Sequence, residues 1–458
     1  MCNRGANLDQ TRIYREQLAD YFRGGCKPKE AWLIGTEHEK IGFCTESFRP
    51  IPYFGEKSIQ RLLERLADCN HEEQWLAVFE DGHPIALKHG LASITLEPGG
   101  QLELSGAPLA TIHETNAEIG RHFDLLRNLT QEMGMGFLTL GYQPKWKRED
   151  IPWMPKSRYN IMRAYMPKVG NLGLDMMLRT ATTQANLDFS DEKDMAKKMR
   201  VAYCLQPITT ALFAASPFKE GKPSGLKSTR AACWLDTDAK RTGTPACVFE
   251  EDFGFESWTE WVLDVPMYFV MRDAQYVDCT GESFRDFLEG KLPQLPGEFP
   301  TRGDWELHVS TTFPEVRLKT YIEVRGADAG EWPWISALPA LWKGLLYDEV
   351  ALQKAWDLVE SWTHAEVVAL SKAVSKDALK TSFLGKDVHH FAKIMVEIAQ
   401  FGLKRINVCN DEGCEAQYLE PLFEAIETGE TQADRWLRLY NTEWNQNIDQ
   451  LFINAAHP

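Results

Sequence analysis

Two glutamates lie two positions apart in the segment WLIGTEHEKIGF, residues 32–43. If this segment is a strand, Glu37 and Glu39 share one face, because successive side chains of a strand alternate between its two faces. Two carboxylates close together on a largely apolar face repel each other unless a proton or a cation neutralises them. The pattern predicts a divalent metal site, and a solvated edge strand with surface acids is the alternative.

A second pair of glutamates flanks a predicted tight turn in ASITLEPGGQLELSG, residues 92–106. Glu97 ends one predicted strand, Pro-Gly-Gly turns the chain, and Glu103 lies on the returning strand. The turn would bring both carboxylates to the same end of a sheet. Oxygen ligands without nearby Cys or His pairs favour Mg²⁺ over zinc, although a hairpin with two glutamates is also an ordinary structural feature.

The segment PEVRLKTYIEVRGAD, residues 314–328, alternates apolar and polar residues. As one continuous strand it would present three cations, a tyrosine and an acid on a single face: Arg317, Lys319, Tyr321, Glu323 and Arg325. Alternate Arg and Lys side chains offer donors suited to phosphate oxygens, and a glutamate among them suits a metal that bridges those phosphates. We prefer a phosphate-binding face to the alternative, a solvated strand, because solvated faces mix Thr, Ser and Glu more freely.

Polar residues also alternate in LRTATTQANLDF, residues 178–189. In a strand, Gln184 would share a face with Thr182 and Asn186, and such neutral groups suit recognition of an amino acid; a Thr-rich structural strand is the alternative. A substrate carboxylate needs an arginine, although most arginines in a protein are surface residues. Loop-like or helix-edge segments nearby supply Arg158, Arg163 and Arg230.

The sequence contains no GxSxG, HExxH, GxxxxGK[ST] or GxGxxG motif. Phosphate binding would therefore depend on carboxylates, metal and arginines on a sheet rather than on a glycine-rich loop. Taken together, the four segments indicate an ATP-dependent enzyme of that design.

The surrounding sequence predicts the elements that position these residues. Strand signals dominate residues 32–142, with amphipathic helices near 58–69 and 111–133, and Thr111 with Glu114 forms a capping-box pattern for the second helix. Helix formers fill 191–215, a loop-rich stretch runs to about 253, and residues 332–458 are predicted to be helix-rich. This mixture predicts an α+β fold with an antiparallel sheet and helices packed beside it. Without repeats or a long linker, we expect one catalytic domain over residues 1–458.

Composition excludes some functions. The net charge of −16 argues against general affinity for nucleic acid or an anionic membrane, because both are polyanions. No run of about 18 apolar residues occurs, and the first residues lack the apolar core of a signal peptide, so the default prediction is a cytoplasmic protein. The ten cysteines are scattered, which favours reduced thiols; Cys409 and Cys414 are close enough in sequence to pair under oxidation.

These segments resemble the plant-type glutamate–cysteine ligase family, which occurs in plants and many proteobacteria and is distantly related to glutamine synthetase. The resemblance runs from about residue 35 to beyond residue 345. It is carried by GTEHEK, GYQPKWKREDIPWMPKSRYNIMRAYMPKVG, LGLDMMLRTATTQANLDF, FGFESWTEWVLDVPMYFV, DCTGESFRDFLEGKLP and FPEVRLKTYIEVRGAD. Motifs of this length are specific to the family.

The resemblance implies a curved, mostly antiparallel sheet of six strands around a funnel-shaped active site, with helices outside it. It also implies two or three Mg²⁺ ions between ATP and the substrate. The implied metal ligands are Glu37, Glu39, Glu97, Glu103 and Glu323. The implied ATP ligands are Arg317, Lys319 and Arg325, of which the two arginines are also the implied catalytic residues. The implied substrate-binding residues are Arg163, Arg230 and Gln184, the last at a position where glutamine synthetases carry a metal-binding histidine.

The implied reaction transfers the γ-phosphoryl group of ATP to the γ-carboxylate of L-glutamate, and the amine of L-cysteine then displaces phosphate. The product is γ-glutamylcysteine, formed in the first step of glutathione biosynthesis. Two alternatives are a related ligase that joins glutamate to a different amine, and a catalytically silent binding protein with the same fold. The retained glutamates and the cationic face argue against the silent protein.

Two departures from the plant pattern lead to further expectations. Plant enzymes pair cysteines in a redox switch, whereas here Cys279 remains and Gln294 occupies the place we assign to its partner. We therefore expect no plant-type disulfide regulation. The short N-terminus favours a bacterial cytosolic enzyme over a plastid one. As a separate expectation, we predict a monomer or a weak homodimer.

Overall fold

The computed structural model describes residues 8–68 and 74–457. The strands in chain order are β1 Ile34–Cys44, β2 Leu76–Glu80, β3 His83–His89, β4 Ala92–Leu96, β5 Leu102–Ser105, β6 Met135–Leu138, β7 Thr182–Leu187, β8 Phe218–Lys219, β9 Lys222–Pro223, β10 Thr242–Gly243, β11 Phe269–Arg272, β12 Gln275–Asp278, β13 Phe313–Pro314, β14 Val316–Leu318, β15 Ile322–Asp328, β16 Ser382–Phe383, β17 Lys386–Asp387, β18 Cys409–Asn410, β19 Gly413–Cys414 and β20 Ala456–His457.

The α-helices are α1 Leu18–Arg23, α2 Ile59–Asp68, α3 Ile112–Met133, α4 Ser157–Tyr165, α5 Gly173–Arg179, α6 Glu192–Leu212, α7 Thr229–Trp234, α8 Phe255–Asp264, α9 Phe284–Leu288, α10 Arg302–Ser310, α11 Trp332–Leu346, α12 Glu349–Val359, α13 His364–Asp377, α14 Val388–Ile406, α15 Glu420–Thr428, α16 Gln432–Thr442 and α17 Asp449–Asn454. Short 3₁₀ helices are Arg15–Gln17, Lys29–Ala31, Arg148–Asp150, Met166–Lys168, Ala246–Phe249, Ala378–Lys380 and Glu415–Leu419.

One large antiparallel sheet organises the fold, and it confirms the predicted α+β class. Its strands follow the order β14-β15-β7-β1-β5-β4-β3-β2, with β6 paired to β1 and β20 paired to β6. The described residues thus form a sheet of ten strands rather than the implied six. The long strand β1 explains part of the difference, because its first half pairs with β5 and β7 while its last four residues pair with β6.

Helices form a buried layer behind this sheet. The helix α6 packs against β14 and β15, and α11 packs against β1, β7 and α14. Both helices are buried over most of their length, as expected for helices covered on all sides. The apolar side chains of β7 and β15 face this layer, with Ala185, Leu187 and Val324 in one core cluster. Alternation therefore directs the polar side chains of the same strands to the opposite, front face.

Several predicted elements are confirmed. The predicted helix at 111–133 is α3, and Thr111 forms its N-cap in a capping box with Glu114. The helices predicted near 58–69 and 191–215 are α2 and α6; residue 69 lies outside the described residues. From Trp332 onward the chain is mostly helical, as predicted, with only short strands. No helix of the described chain is long and apolar enough to cross a membrane.

Two predicted strands are wrong in part. Residues 314–328 form a hairpin of β14 and β15 rather than one strand, and Lys319 N–H bonds the Tyr321 carbonyl at the turn, 2.8 Å away. The pairing sets Arg317 opposite Glu323, so the polar face predicted for a single strand survives. In residues 178–189 the strand begins only at Thr182, because residues 178 and 179 end α5 and residues 180 and 181 connect the helix to the strand.

The cysteines differ from the expectation in one place. Cys409 and Cys414 form a disulfide across β18 and β19, whereas the other cysteines of the described chain are free. Cys279 is a buried free thiol, and Gln294 donates a hydrogen bond to Glu282 at 3.2 Å.

A close backbone contact fixes the turn that carries Glu97. An added Cβ at Gly99 would lie 2.3 Å from the carbonyl oxygen of Leu178 in α5. We therefore expect Gly99→Ala to lower the free energy of unfolding by about 1–3 kcal/mol, the usual cost of overpacking. Gly24→Ala is the control, since its Cβ would lie 3.3 Å from its nearest neighbour. Urea titration measures both; equal stability of the two variants would contradict the prediction.

Candidate active site

Two adjoining cavities open on the front face of the sheet. Their volumes are about 120 and 400 Å³. Glu37, Arg158, Leu307 and Ser310 line both cavities. The predicted site residues on the first cavity are Glu37, Glu39, Glu97, Glu103, Gln184, Arg230, Arg317 and Arg325. The second cavity adds Lys319 and Glu323.

Strand register brings four of the glutamates together. Glu39 on β1 lies directly opposite Glu103 on β5, and Glu37 is two residues away on the same face. Glu97 follows β4 at the turn predicted from the sequence, where its N–H bonds the Gln101 carbonyl at 2.9 Å. The acidic cluster formed by Glu37, Glu39, Glu97 and Glu103 is therefore held by the backbone of three strands.

Neighbouring groups hold the carboxylates in place. Asn186 donates to Glu37 at 2.9 Å, and the Thr182 N–H donates to Glu39 at 3.0 Å. Glu103 accepts from the hydroxyls of Thr95, at 3.0 Å, and Ser105, at 2.6 Å.

The acidic cluster is electrostatically strained. Burial, with repulsion from Glu323 and Glu103, raises the pKa of Glu37 to about 6. Burial and the neighbouring carboxylates also raise the pKa of Glu39 and of Glu97. Burial acts to raise the pKa of Glu103 as well, but hydrogen bonds from Ser105 and Thr95 hold it below its usual range. Added positive charge would relieve this repulsion.

The donor set suits Mg²⁺, which prefers carboxylate oxygens. Within residues 8–68 and 74–457, no group of three or more Asp, Glu, His or Cys side chains is close enough to form a metal site by itself. Mg²⁺ usually takes only one or two protein carboxylates and completes its shell with water and substrate phosphates. The acidic cluster fits that partial role.

Glu323 is placed differently from the acidic cluster. Its oxygens lie 2.6 Å from Arg317 Nε, 3.2 Å from Lys319 Nζ and 3.0 Å from Arg325 Nη1. Burial acts to raise the pKa of Glu323, but the three cations hold it well below its usual range. In this arrangement Glu323 is a counter-ion, and its role as a metal ligand stays a prediction.

The two predicted catalytic arginines also differ. Arg317 is buried, and all three nitrogens of its guanidinium donate hydrogen bonds. Its Nε and Nη2 donate to Glu323, and its Nη1 donates to the carbonyls of Ser310 and Thr312. Arg325 donates to Glu323 at 3.0 Å and to Gln184 Oε1 at 2.8 Å from the same nitrogen, Nη1. Arg317 therefore anchors the hairpin, whereas Arg325 keeps further donors at the cavity wall.

The predicted substrate arginines separate into two groups. Arg230 is 4% exposed, its Nη2 donates to the Arg325 carbonyl at 2.8 Å and its Nε has no partner among the described residues. Arg163 lies outside both cavities, exposed and stacked 4.6 Å from the ring of Trp153. Arg158 lines both cavities and forms no ion pair with a carboxylate of the described chain. The structure thus brings Arg158, not Arg163, to the site.

The helical periodicity of the sequence around Arg158 could have shown that this arginine, and not Arg163, faces the cavity. Both arginines lie on α4, five residues apart, which places them about 140° apart around the helix axis. Met162, four residues after Arg158, lines the first cavity on the same face. A helix with one face on the cavity can present only one of the two arginines.

An apolar wall of the first cavity was not predicted from the sequence. It consists of Trp234, Tyr268, Phe269 and Phe313, and the rings of Trp234 and Phe313 lie beside Arg325, each about 6 Å from its guanidinium. Each residue type is equally typical of a protein core, so no sequence signal separates this wall from buried packing.

Comparison with known proteins identifies the family. The sequence profile of glutamate–cysteine ligase family 2 matches residues 33–454. The chain belongs to this family. The predicted family and enzyme class are therefore confirmed.

Similar proteins agree with this assignment. The chain is 53% identical over 440 residues to a chloroplastic glutamate–cysteine ligase of Brassica juncea, covering 96% of this chain and 84% of that protein. The corresponding enzyme of Arabidopsis thaliana is 52% identical, with 96% and 82% covered. A crystal structure of glutamate–cysteine ligase from Francisella tularensis, in complex with AMP, has a TM-score of 0.51 at 13% identity and covers 93% of this chain and 90% of its own. At that identity it supports the fold alone.

The same relatives contradict the cytoplasmic prediction, because they are named as chloroplastic enzymes. That prediction depended on the lack of an apolar signal-peptide core, and the expectation of a bacterial cytosolic enzyme rather than a plastid one depended on the short N-terminus. Plastid transit peptides are amphipathic rather than apolar, so the lack of an apolar core does not distinguish cytoplasm from plastid.

The raised pKa of Glu37 gives a testable pH dependence. Its folded-state pKa of about 6 exceeds the unfolded value of 4.5, so the folded state binds more protons in this range and stability falls as pH rises from 4.5 to 6. In Mg²⁺-free buffer, Glu37→Gln should reduce this decline, measured by urea unfolding at each pH. Glu443→Gln, which changes an exposed carboxylate, should leave it unchanged. An undiminished decline in Glu37→Gln would contradict the assignment.

Proposed function

We propose that the two cavities catalyse ATP-dependent ligation of the γ-carboxylate of L-glutamate to the amine of L-cysteine, giving γ-glutamylcysteine, ADP and phosphate. One observation carries the proposal: in a chain of the glutamate–cysteine ligase family, the acidic cluster lines the same cavity as Arg158, Arg230 and Arg325. Phosphoryl transfer between two anions requires this combination of metal-binding carboxylates and cationic donors.

In the first step, an oxygen of the glutamate γ-carboxylate attacks the γ-phosphorus of ATP, and the bond to ADP breaks. Arg325 and Lys319 supply donors for phosphate oxygens, because both lie on the hairpin at the cavity wall. Glu37, Glu39, Glu97 and Glu103 would hold Mg²⁺, which supplies charge neutralisation on the transferring phosphoryl group. The products of this step are ADP and γ-glutamyl phosphate.

In the second step, the neutral amine of cysteine attacks the acyl carbon, and the carbon–oxygen bond to phosphate breaks. Arg230 and Arg158 would pair with substrate carboxylates, since both line the first cavity and donate to the Arg325 carbonyl and the Tyr159 hydroxyl rather than to a carboxylate. The wall of Trp234, Tyr268 and Phe313 limits water near the acyl phosphate. The energy released with phosphate drives amide formation.

We also propose that the whole chain acts as one catalytic unit. The strand β20, at residues Ala456–His457, pairs with β6, which in turn pairs with β1 of the site. The C-terminal helices are thus connected through the same sheet that carries the acidic cluster.

The direct test is a phosphate-release assay with ATP, Mg²⁺ and glutamate, with and without cysteine, and mass detection of the product. We expect phosphate release that depends on cysteine, and the mass of γ-glutamylcysteine. Release that depends on another amine but not on cysteine would keep the mechanism and replace the acceptor. Absence of release with every amine, from folded protein, would contradict a ligase function.

The two arginines of α4 provide a matched pair of variants. Arg158→Ala should lower kcat/KM by at least about tenfold, because it removes a charge-assisted contact at the cavity. Arg163→Ala, on the same helix but outside the cavity, should stay within about twofold of the unmodified protein. Steady-state kinetics in glutamate and in ATP measure both. Comparable losses of kcat/KM in the two variants would contradict the assignment of Arg158, and not Arg163, to the site.

A further inference from the structure

A buried carboxylate behind the active site joins three segments of the chain. Asp328, the last residue of β15, is 1% exposed. Its Oδ2 accepts from the Ala215 N–H at 2.9 Å and from the Ser216 hydroxyl at 2.6 Å, while Oδ1 accepts from the Ser228 hydroxyl at 2.7 Å. Asp328 therefore connects β15 to the segment after α6 and to the start of α7.

The two serine hydroxyls that bond Asp328 also accept hydrogen bonds from the backbone of α7. Ser216 Oγ accepts from the Arg230 N–H at 3.2 Å, and Ser228 Oγ caps the helix by accepting from the Ala231 N–H at 2.9 Å. A serine has one O–H donor, so a hydroxyl that donates to Asp328 must present its lone pairs elsewhere. The carboxylate thus orients both hydroxyls toward the first turn of α7.

Arg230 depends on this support. Its helix has only six residues, too short to be stable by itself. The guanidinium is buried beside Arg325, donates to that residue's carbonyl and forms no ion pair within the described chain. Besides this hydrogen bond, the carboxylates of Asp328, Glu315 and Glu39 act on its charge from farther away. The position of its backbone therefore helps to set where the charge faces the cavity.

The side chain of Asp328 is also tightly packed against its neighbours. An added Cβ on Gly141 would lie 2.3 Å from Asp328 Cγ. The carboxylate is therefore enclosed between β15, the loop containing Gly141 and the two serines. Such a site specifies both the length and the charge of the side chain.

We propose that Asp328 is a positioning residue for Arg230, which it holds through Ser216 and Ser228 in the orientation that binds the substrate carboxylate. The inference rests on the proposed function, which gives Arg230 that role. Although Asp328 lies on β15, its side-chain hydrogen bonds go to the segment after α6 and to the start of α7. We therefore expect it to affect glutamate binding rather than ATP binding.

The test uses Asp328→Asn in the full chain, with affinity for glutamate and for ATP measured separately by calorimetry in Mg²⁺, alongside turnover. The amide keeps the size but replaces one acceptor by a donor. We expect the Kd for glutamate to rise about tenfold, as for loss of a charged hydrogen-bond network, with the Kd for ATP unchanged. An unchanged glutamate Kd, or equal increases for both ligands, would overturn the inference.

Glu415→Gln is the matched control for a purely structural loss. Glu415 is a buried carboxylate that accepts from the Ile112 N–H at the start of α3 and pairs with Lys343, each at 2.7 Å, and it lines neither cavity. It should lose stability and keep its glutamate Kd. If Glu415→Gln raised the glutamate Kd as much as Asp328→Asn does, the effect of Asp328→Asn would be explained by general destabilisation. That result would overturn the inference.

A second variant covers the case in which Asp328→Asn does not fold. Ser228→Ala removes one hydroxyl and should also weaken glutamate binding selectively; a glutamate Kd equal to that of the unmodified protein would overturn the inference. In a double-mutant cycle with Arg230→Lys, the two effects should be less than additive, and full additivity would contradict action through Arg230. Failure of the proposed function is separate, because it appears as absent turnover in the unmodified protein whatever the glutamate Kd of the variants.

Discussion

Repulsion among glutamates that the backbone holds together is the constraint on which the site depends. Glu37, Glu39 and Glu103 cannot move apart, because the pairing of β1 with β5 fixes their positions. Burial makes ionisation of this cluster costly, which is why the pKa of Glu37 rises to about 6. Cations stabilise a cluster of this kind, so the proposed Mg²⁺ and nucleotide would complete a site that the folded chain leaves electrostatically unbalanced.

The cationic side of the cavity is organised in the opposite way. Glu323 already pairs with Arg317, Lys319 and Arg325, so the hairpin is rigid before any ligand binds. Arg230 forms no close ion pair among the described residues; the carboxylates of Asp328, Glu315 and Glu39 act on its charge from farther away, and a buried network supports its backbone. In the proposed reaction, this division would give fixed donors for phosphate and a less tightly paired cation for a substrate carboxylate. Rigid donors at the phosphoryl group are the arrangement that electrostatic catalysis requires.

The sequence predicted the acidic half of the site better than the cationic half. Alternation in a strand and a Pro-Gly-Gly turn are local rules, and they placed Glu37, Glu39, Glu97 and Glu103 correctly on one face. The hairpin at 314–328 was predicted as one strand because its turn contains neither Gly nor Pro, the residues that usually signal a turn. The apolar wall and the Asp328 network arise from contacts between distant segments, which no local pattern encodes, and the compartment is not a property of the fold.

The central claim is that the cavity activates the γ-carboxylate of glutamate as an acyl phosphate. The measurement that tests it most directly follows oxygen from glutamate labelled with ¹⁸O in its γ-carboxylate, with phosphate analysed by ³¹P NMR after turnover with ATP, Mg²⁺ and cysteine. Since the carboxylate oxygen that attacks phosphorus leaves with it, the account predicts one ¹⁸O in each phosphate released. Unlabelled phosphate alongside γ-glutamylcysteine would contradict it.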